Sequence, residues 1–182
     1  TGPDADKSGT GQYLYAFSDG GQFTDTARLV TPQFDLMSMT NPLLTFYVHM
    51  YGATVGNLLV QASTNGSTWT TIHTISGQKQ TSGTAPWIEE IVDLTTYKST
   101  TTQIRFVATK ASWGGSDIAI DEVSIAQAPL CPKPTAVNIT NITSSSATIN
   151  FLSSGVSFPI EYGPVGFAQG TGTTATATAT GY

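Results

Sequence analysis

One carboxylate of this chain stands where a strand pattern breaks, and that is where chemistry can be sought. In Ser116-Asp117-Ile118-Ala119-Ile120-Asp121-Glu122-Val123-Ser124-Ile125, Ile118 and Ile120 alternate as one face of a strand, while Val123 and Ile125 alternate in the opposite phase. Side chains on a strand repeat every two residues, so the slip requires an extra residue, a β-bulge near Asp121-Glu122. The bulge re-aims a carboxylate and sets Asp121 at or under the edge of the core. A carboxylate there needs either a cation or several N–H donors. Both readings stay open at this point. Asp121 accepts backbone N–H groups and locks a loop, or it binds a structural Ca2+, an ion that takes about six to eight oxygens from carboxylates and carbonyls.

Other reactive residue types are sparse. His49 and His73 lie on different strands, and neither H-E-x-x-H nor G-x-S-x-G occurs. The single Cys131 sits in a proline-rich stretch without a nearby histidine, and alone it supports neither an internal disulfide nor a thiolate metal site. The G-x-G at 9–11 precedes a strand rather than a helix, so it makes no phosphate loop. The expectation is a segment without catalytic activity. Tyr47, His49 and Tyr51 fall on one face of a strand, and Trp113 sits in the loop 110–116. These four are either a ligand platform, for glycan or protein, or packing residues; the row of three then packs across strands.

The elements that would carry these residues are all strands. Short runs rich in Val, Ile, Thr and aromatics recur between Gly, Pro, Asn and Ser clusters, and no segment has helical periodicity, which predicts an all-β sandwich. Gln12–Phe17, Thr26–Thr31, Leu43–Tyr51, Leu58–Ser63, Trp69–Ile75, Trp87–Leu94 and Gln103–Thr109 read as strands, with a hairpin turn at Thr64-Asn65-Gly66-Ser67. The predicted core is Leu44, Phe46, Val48, Met50, Ile104, Phe106, Ile118 and Ile120. Charged residues make up only 10% of the chain, a composition common in secreted all-β proteins, and the net charge of −5 argues against a nucleic-acid partner. No apolar run reaches membrane-spanning length, so no membrane insertion is expected. At Ala128-Pro129-Leu130-Cys131-Pro132-Lys133-Pro134 the composition changes to a proline-rich linker. The predicted organisation is therefore 1–127, a linker over 128–134, and a second module over 135–182.

Four ordered blocks carry a family resemblance. They are Thr1-Gly2-Pro3 with Asp6 and Gly9–Tyr15 (GTGQYLY), then Ala27-Arg28-Leu29-Val30-Thr31-Pro32, then Leu44–Gly52 (LTFYVHMYG), then Gly115–Val123 (GSDIAIDEV). Together they resemble a MAM domain, an extracellular adhesion module, which implies an antiparallel jelly-roll sandwich. Two departures stand out: the paired cysteines of animal members are missing, and so are the family's opening residues before Thr1. Residues 135–182 resemble the first half of a fibronectin type III module, an immunoglobulin-like sandwich, with Phe151 where that family usually has Trp.

In such jelly rolls the N-terminal and last strands run close together. The resemblance therefore implies that Asp6 and Asp121 converge on a structural Ca2+, with Asp19 and Asp117 as lesser candidates. Asp19 also reads as a turn residue before Gly20-Gly21, and Asp117 as a solvated loop acid. The lead function implied is a non-catalytic adhesion or protein-interaction segment of a larger secreted or cell-surface bacterial protein, with protein partners or self-association. The alternative is a carbohydrate-binding or accessory module of a secreted hydrolase or protease. The alternating tail Thr173–Tyr182 (TTATATATGY) buries little surface, so it is expected to be held by something beyond the segment.

Overall fold

A computed structural model describes residues 2–16, 25–110, 117–129, 135–152 and 157–178. Asp19, Trp113 and Cys131 lie outside the described residues. The chain divides into two compact units, Thr1–Ala128 and Pro129–Tyr182.

The first unit is an antiparallel jelly-roll sandwich. Its strands are β1 (Leu14–Ala16), β2 (Thr26–Val30), β3 (Pro42–Tyr51), β4 (Val55–Ser63), β5 (Thr70–Ser76), β6 (Ile88–Asp93), β7 (Gln103–Lys110) and β8 (Asp117–Gln127). One sheet has the order β1-β8-β3-β6 and the other β2-β7-β4-β5. The strands alternate as their sequences require. On β3, Leu44, Phe46, Val48 and Met50 are completely buried, and from the facing sheet come Leu58, Val60, Ile104 and Phe106. The Phe46 and Phe106 rings meet edge to face with centroids 5.1 Å apart, joining the central strands of the two sheets. All eight residues expected in the core are buried.

The turn between β4 and β5 is set by its polar residues. Asn65 Oδ1 accepts from the Ser67 and Thr68 amides, and Gly66 adopts a φ of +72°. At the margin where β5 and β6 are the edge strands, His73 and Glu90 occupy inward positions opposite Val60 and Phe46. Their Nε2 and Oε2 atoms lie 2.9 Å apart and link the two sheets. Inward-pointing polar groups on edge strands also discourage pairing with another chain.

The second unit consists, among the described residues, of two hairpins. β9 (Thr135–Thr140) pairs with β10 (Thr148–Leu152), and β11 (Ser157–Tyr162) pairs with β12 (Thr173–Thr178). Phe151 and Phe158 meet edge to face at 5.0 Å and connect them. Glu161 holds the loop before β12, accepting from the Gly170 and Gly172 amides. Tail residues 173–178 find partners inside the chain, from Tyr162↔Thr173 to Ser157↔Thr178, along one edge of a two-stranded sheet, so part of the hold on the tail comes from within the segment. Backbone hydrogen bonds to a neighbouring strand supply what the small Ala side chains do not.

The Phe46–Phe106 contact sits at the centre of the first unit. Replacing Phe46 by Ala should cost about 3–5 kcal/mol, the usual range for emptying a buried Phe site. Urea unfolding should show a lowered midpoint with an unchanged slope; an unchanged midpoint would place the core elsewhere.

Candidate functional site

The bulge lies where the residue pattern put it. Across β3 and β8 the register runs from Thr45↔Ser124 to Tyr47↔Asp121, so Phe46 faces both Glu122 and Val123. Glu122 takes up the extra length with a φ of +47°, a left-handed conformation uncommon outside glycine. Asp121 thereby stands opposite Tyr47 on the outer face of the sheet, half-buried, rather than under the edge of the core. Both its oxygens accept backbone N–H groups: Oδ2 from Lys7 at 2.9 Å and Oδ1 from Glu122 at 2.7 Å.

Lys7 is the anchor of a loop, residues 2–13, laid over that outer face. Its Nζ lies 3.0 Å from Glu122 Oε2 and 4.4 Å from the centre of the Tyr47 ring. The Asp4 amide donates to the Gly83 carbonyl at 3.0 Å, the Tyr13 hydroxyl to the Pro3 carbonyl at 2.9 Å, and Trp87 Nε1 to the Ala5 carbonyl at 3.3 Å. Tyr13 packs edge-on against Trp87 at 5.5 Å. Burial, then the nearby Tyr15, Asp117 and Asp4, push the Tyr13 phenol above its ordinary pKa. Residue 2 is a glycine for a reason: its φ is +93°, and a Cβ there would lie 3.2 Å from Asp117 Oδ2.

Beneath this loop and the neighbouring residues 80–87, His49 has no exposed surface. Its ring lies 5.5 Å from Trp87, and neither ring nitrogen has a hydrogen-bond partner among the described residues. Burial pulls the His49 pKa below its ordinary value, and Ser82, Asp4 and Ala85 oppose this only in part. Gln80 does for β3 what a strand would. Past Ile88 no β6 residue remains to pair, and Gln80 Oε1 accepts from the Met50 amide at 2.6 Å while its Nε2 donates to the Val48 carbonyl at 3.1 Å.

The row Tyr47, His49, Tyr51 is thus packed rather than open. Lys7 covers Tyr47, His49 is inaccessible, and Tyr51 pairs with Asp117 and bridges to Gln80. A cleft of about 410 Å³ remains between the two loops, lined by Asp6, Lys7, Tyr47, Gly83, Pro86 and Trp87. The carboxylates serve different points of the loop. Asp117 is buried beside Gly2, four strand residues or about 13 Å from Asp121. Asp6 Oδ2 accepts from Ser8 Oγ at 2.6 Å, and the Ser8 hydroxyl and the Gly11 amide lower its pKa. Asp6 Oδ1, by contrast, is buried without a hydrogen-bond partner among the described residues. No group of three or more His, Cys, Asp or Glu is arranged to hold a metal among the described residues. A Ca2+ therefore finds an orphaned oxygen on Asp6 but none spare of a hydrogen bond on Asp121. Lys7, Gln80 and Trp87 carried no signal in sequence, because each matters only through a contact across the fold.

Two outcomes follow from this geometry. Asp121→Ala strips the acceptor from two amides and should loosen the loop by about 1–3 kcal/mol, read as faster hydrogen exchange at Lys7; unchanged exchange would mean that the Glu122 and Tyr47 contacts suffice. The second concerns pH. Because the closed loop holds His49 below its ordinary value, the opened loop binds a proton that the closed one refuses. Closure is at full strength above about pH 6.5 and weakens as pH falls from there towards the depressed value. Asp6, also depressed, adds stability that is lost only in a lower window, below the ordinary carboxylate pKa of 3.8. Exchange protection of the Asp4 and Lys7 amides should fall on acidification towards pH 5, and His49→Phe should flatten the profile; the same profile in the variant would assign the effect to another group.

Comparison with known proteins agrees with this architecture. The MAM domain (meprin/A5/mu) matches residues 1–132. Zebrafish (Danio rerio) neuropilin-1a is 32% identical over 130 residues, covering 69% of this chain and 13% of that protein. The rat (Rattus norvegicus) MAM domain-containing glycosylphosphatidylinositol anchor protein 1 is 33% identical over 138 residues, 73% of this chain and 14% of that protein. The chain thus spans about one-seventh of the length of these relatives. Among solved structures, the K1 cleaved adhesin domain of Lys-gingipain from Porphyromonas gingivalis W83 superposes with a TM-score of 0.52 at 23% identity, covering 70% of this chain and 82% of that one. With the family match spanning the whole first unit, this chain belongs to the MAM domain family.

Proposed function

We propose that the first unit is a non-catalytic adhesion module, acting through protein partners as part of a larger secreted or cell-surface protein. The observation that carries this is the family match over residues 1–132. The site's chemistry supports it: Asp4, Lys7 and Tyr13 are engaged in holding a loop, and the two histidines serve packing and a strand margin. A bacterial, cysteine-poor form of the family fits the lone Cys131. The second unit, with Phe151 against Phe158, is proposed as a fibronectin type III-like spacer. The cleft beside Trp87 and Tyr47 favours one second reading, a carbohydrate-binding module, since aromatic rings and a carboxylate suit a sugar.

The decisive experiment immobilises the full chain and screens it against extracellular-matrix and cell-surface proteins and, in parallel, a glycan array. Saturable binding to a protein that survives deglycosylation is the expected result. Binding to glycans alone would replace the adhesion reading with the carbohydrate one.

A structural Ca2+ belongs to the same proposal, held by Asp6 and carbonyls of its loop and supplying charge neutralisation rather than chemistry. Its support is the orphaned Asp6 Oδ1. An ion bound only to the native state stabilises it by about 2.7 kcal/mol at a hundredfold excess over Kd. The Tm of the first unit should fall by several degrees in EDTA and recover with Ca2+, and Asp6→Ala should lose that response. An EDTA-insensitive Tm would leave the loop held by hydrogen bonds alone.

A further inference from the structure

The outer face of the second sheet carries a positioned cation that no carboxylate among the described residues neutralises. On β7, Ile104 and Phe106 face the core, so Arg105 faces out. Its Nε and Nη2 both donate to Gln61 Oε1, at 2.8 and 2.6 Å. Gln61, its cross-strand partner on β4, in turn donates from Nε2 to Thr71 Oγ1 on β5 at 3.1 Å. The guanidinium carbon lies 4.3 Å from the centre of the Trp69 ring. Residues of three adjacent strands, with Trp69 just before β5, thus fix the side chain. The acceptor that orients it is a neutral amide, which aims the guanidinium without cancelling its charge. Three of its five N–H donors have no partner among the described residues.

The surroundings share this bias. Arg28 on β2 stands opposite Val107, and Val30 opposite Arg105, so the two guanidiniums are diagonal neighbours on one face. They are the only arginines of a chain with net charge −5. No Asp or Glu occurs within β2, β7, β4 or β5. The ion pairs found among the described residues, Lys7–Glu122 and His73–Glu90, involve neither arginine. The other sheet carries Glu89, Glu90, Asp93, Asp117, Asp121 and Glu122.

We propose that this face docks an acidic, extended polypeptide segment of a partner protein, with one carboxylate paired in the plane of Arg105 and a second near Arg28. A polypeptide fits better than an acidic polysaccharide for two reasons. Arg105 already stacks on Trp69, the indole a sugar ring would use. Next to Arg105 runs β2, an edge strand with Leu29 and Val30 partly exposed, whose outer backbone edge pairs with no strand among the described residues and suits an incoming one. The proposal rests on the protein-interaction reading and names the partner's chemistry.

The test uses the full chain and a fluorescein-labelled (Glu-Thr)5 peptide, with (Gln-Thr)5 and oligogalacturonate as comparisons, read by fluorescence anisotropy at low and physiological salt. Saturable binding of the acidic peptide is expected, weakened by salt and by about tenfold or more in Arg105→Ala. Arg105→Lys should not rescue it, because an ammonium has neither the planar fork nor the stack. Trp69→Ala should weaken it less, and all three variants should keep the wild-type circular dichroism spectrum. Equal binding by wild type and Arg105→Ala, no binding, or preference for (Gln-Thr)5 or oligogalacturonate overturns the proposal. Protein partners from the screen that bind Arg105→Ala as well as wild type would also overturn it while leaving the adhesion reading intact.

Discussion

Strand β3 is covered on both faces, and the first unit is built around meeting that requirement. Its inner row, Leu44 to Met50, is covered by the opposing sheet. Its outer row, Tyr47, His49 and Tyr51, has no second sheet above it, yet His49 has no exposed surface. An imidazole and two aromatic rings left against water would form an apolar patch in the middle of the sheet. The loops 2–13 and 80–87 remove that patch, and so does Gln80, whose side chain completes the hydrogen bonding of β3 where β6 stops.

The two coverings differ in kind. The inner one is apolar and interlocked, so it opens only with the whole fold. The outer one rests on single hydrogen bonds, a few ring contacts, and one ion pair and one cation–π contact of the exposed Lys7, each individually weak. Such an element opens locally long before the core does. Protonation of His49 acts on this weaker covering alone, because the imidazole lies between the sheet and the loop rather than between the sheets.

What was legible in sequence follows from the range of the interaction concerned. The two-residue period marked every predicted core residue, and its phase slip placed a bulge near Asp121-Glu122, one position from the Glu122-Val123 pair that faces Phe46. Such signals lie within one strand. The direction of the re-aimed carboxylate did not, because it depends on Lys7, more than a hundred positions away. His49 read as outward-facing, and it is; the loops that bury it come from two distant stretches whose polar composition gives no sign of where they fold. Gln80 is hidden for the same reason, since one glutamine in a run of Gly, Gln and Lys looks like solvent-facing loop.

The two sheets also use their charges in opposite ways. On the β1-β8-β3-β6 sheet, Asp121 and Glu122 are turned on the chain's own Lys7, so their charge and acceptor capacity go into closing a loop. On the β2-β7-β4-β5 sheet, Arg105 is oriented by an amide that leaves its charge standing. A carboxylate at position 61 would hold the guanidinium as well or better, and would end its attraction for any other anion. In a chain of net charge −5, four strands without Asp or Glu concentrate positive potential around its two arginines. That contrast raises both the encounter rate with an acidic partner and the discrimination against approach to the other face. The amide at position 61 also donates to Thr71, so it orients Arg105 from within the sheet while leaving the guanidinium charge for the acidic partner proposed above.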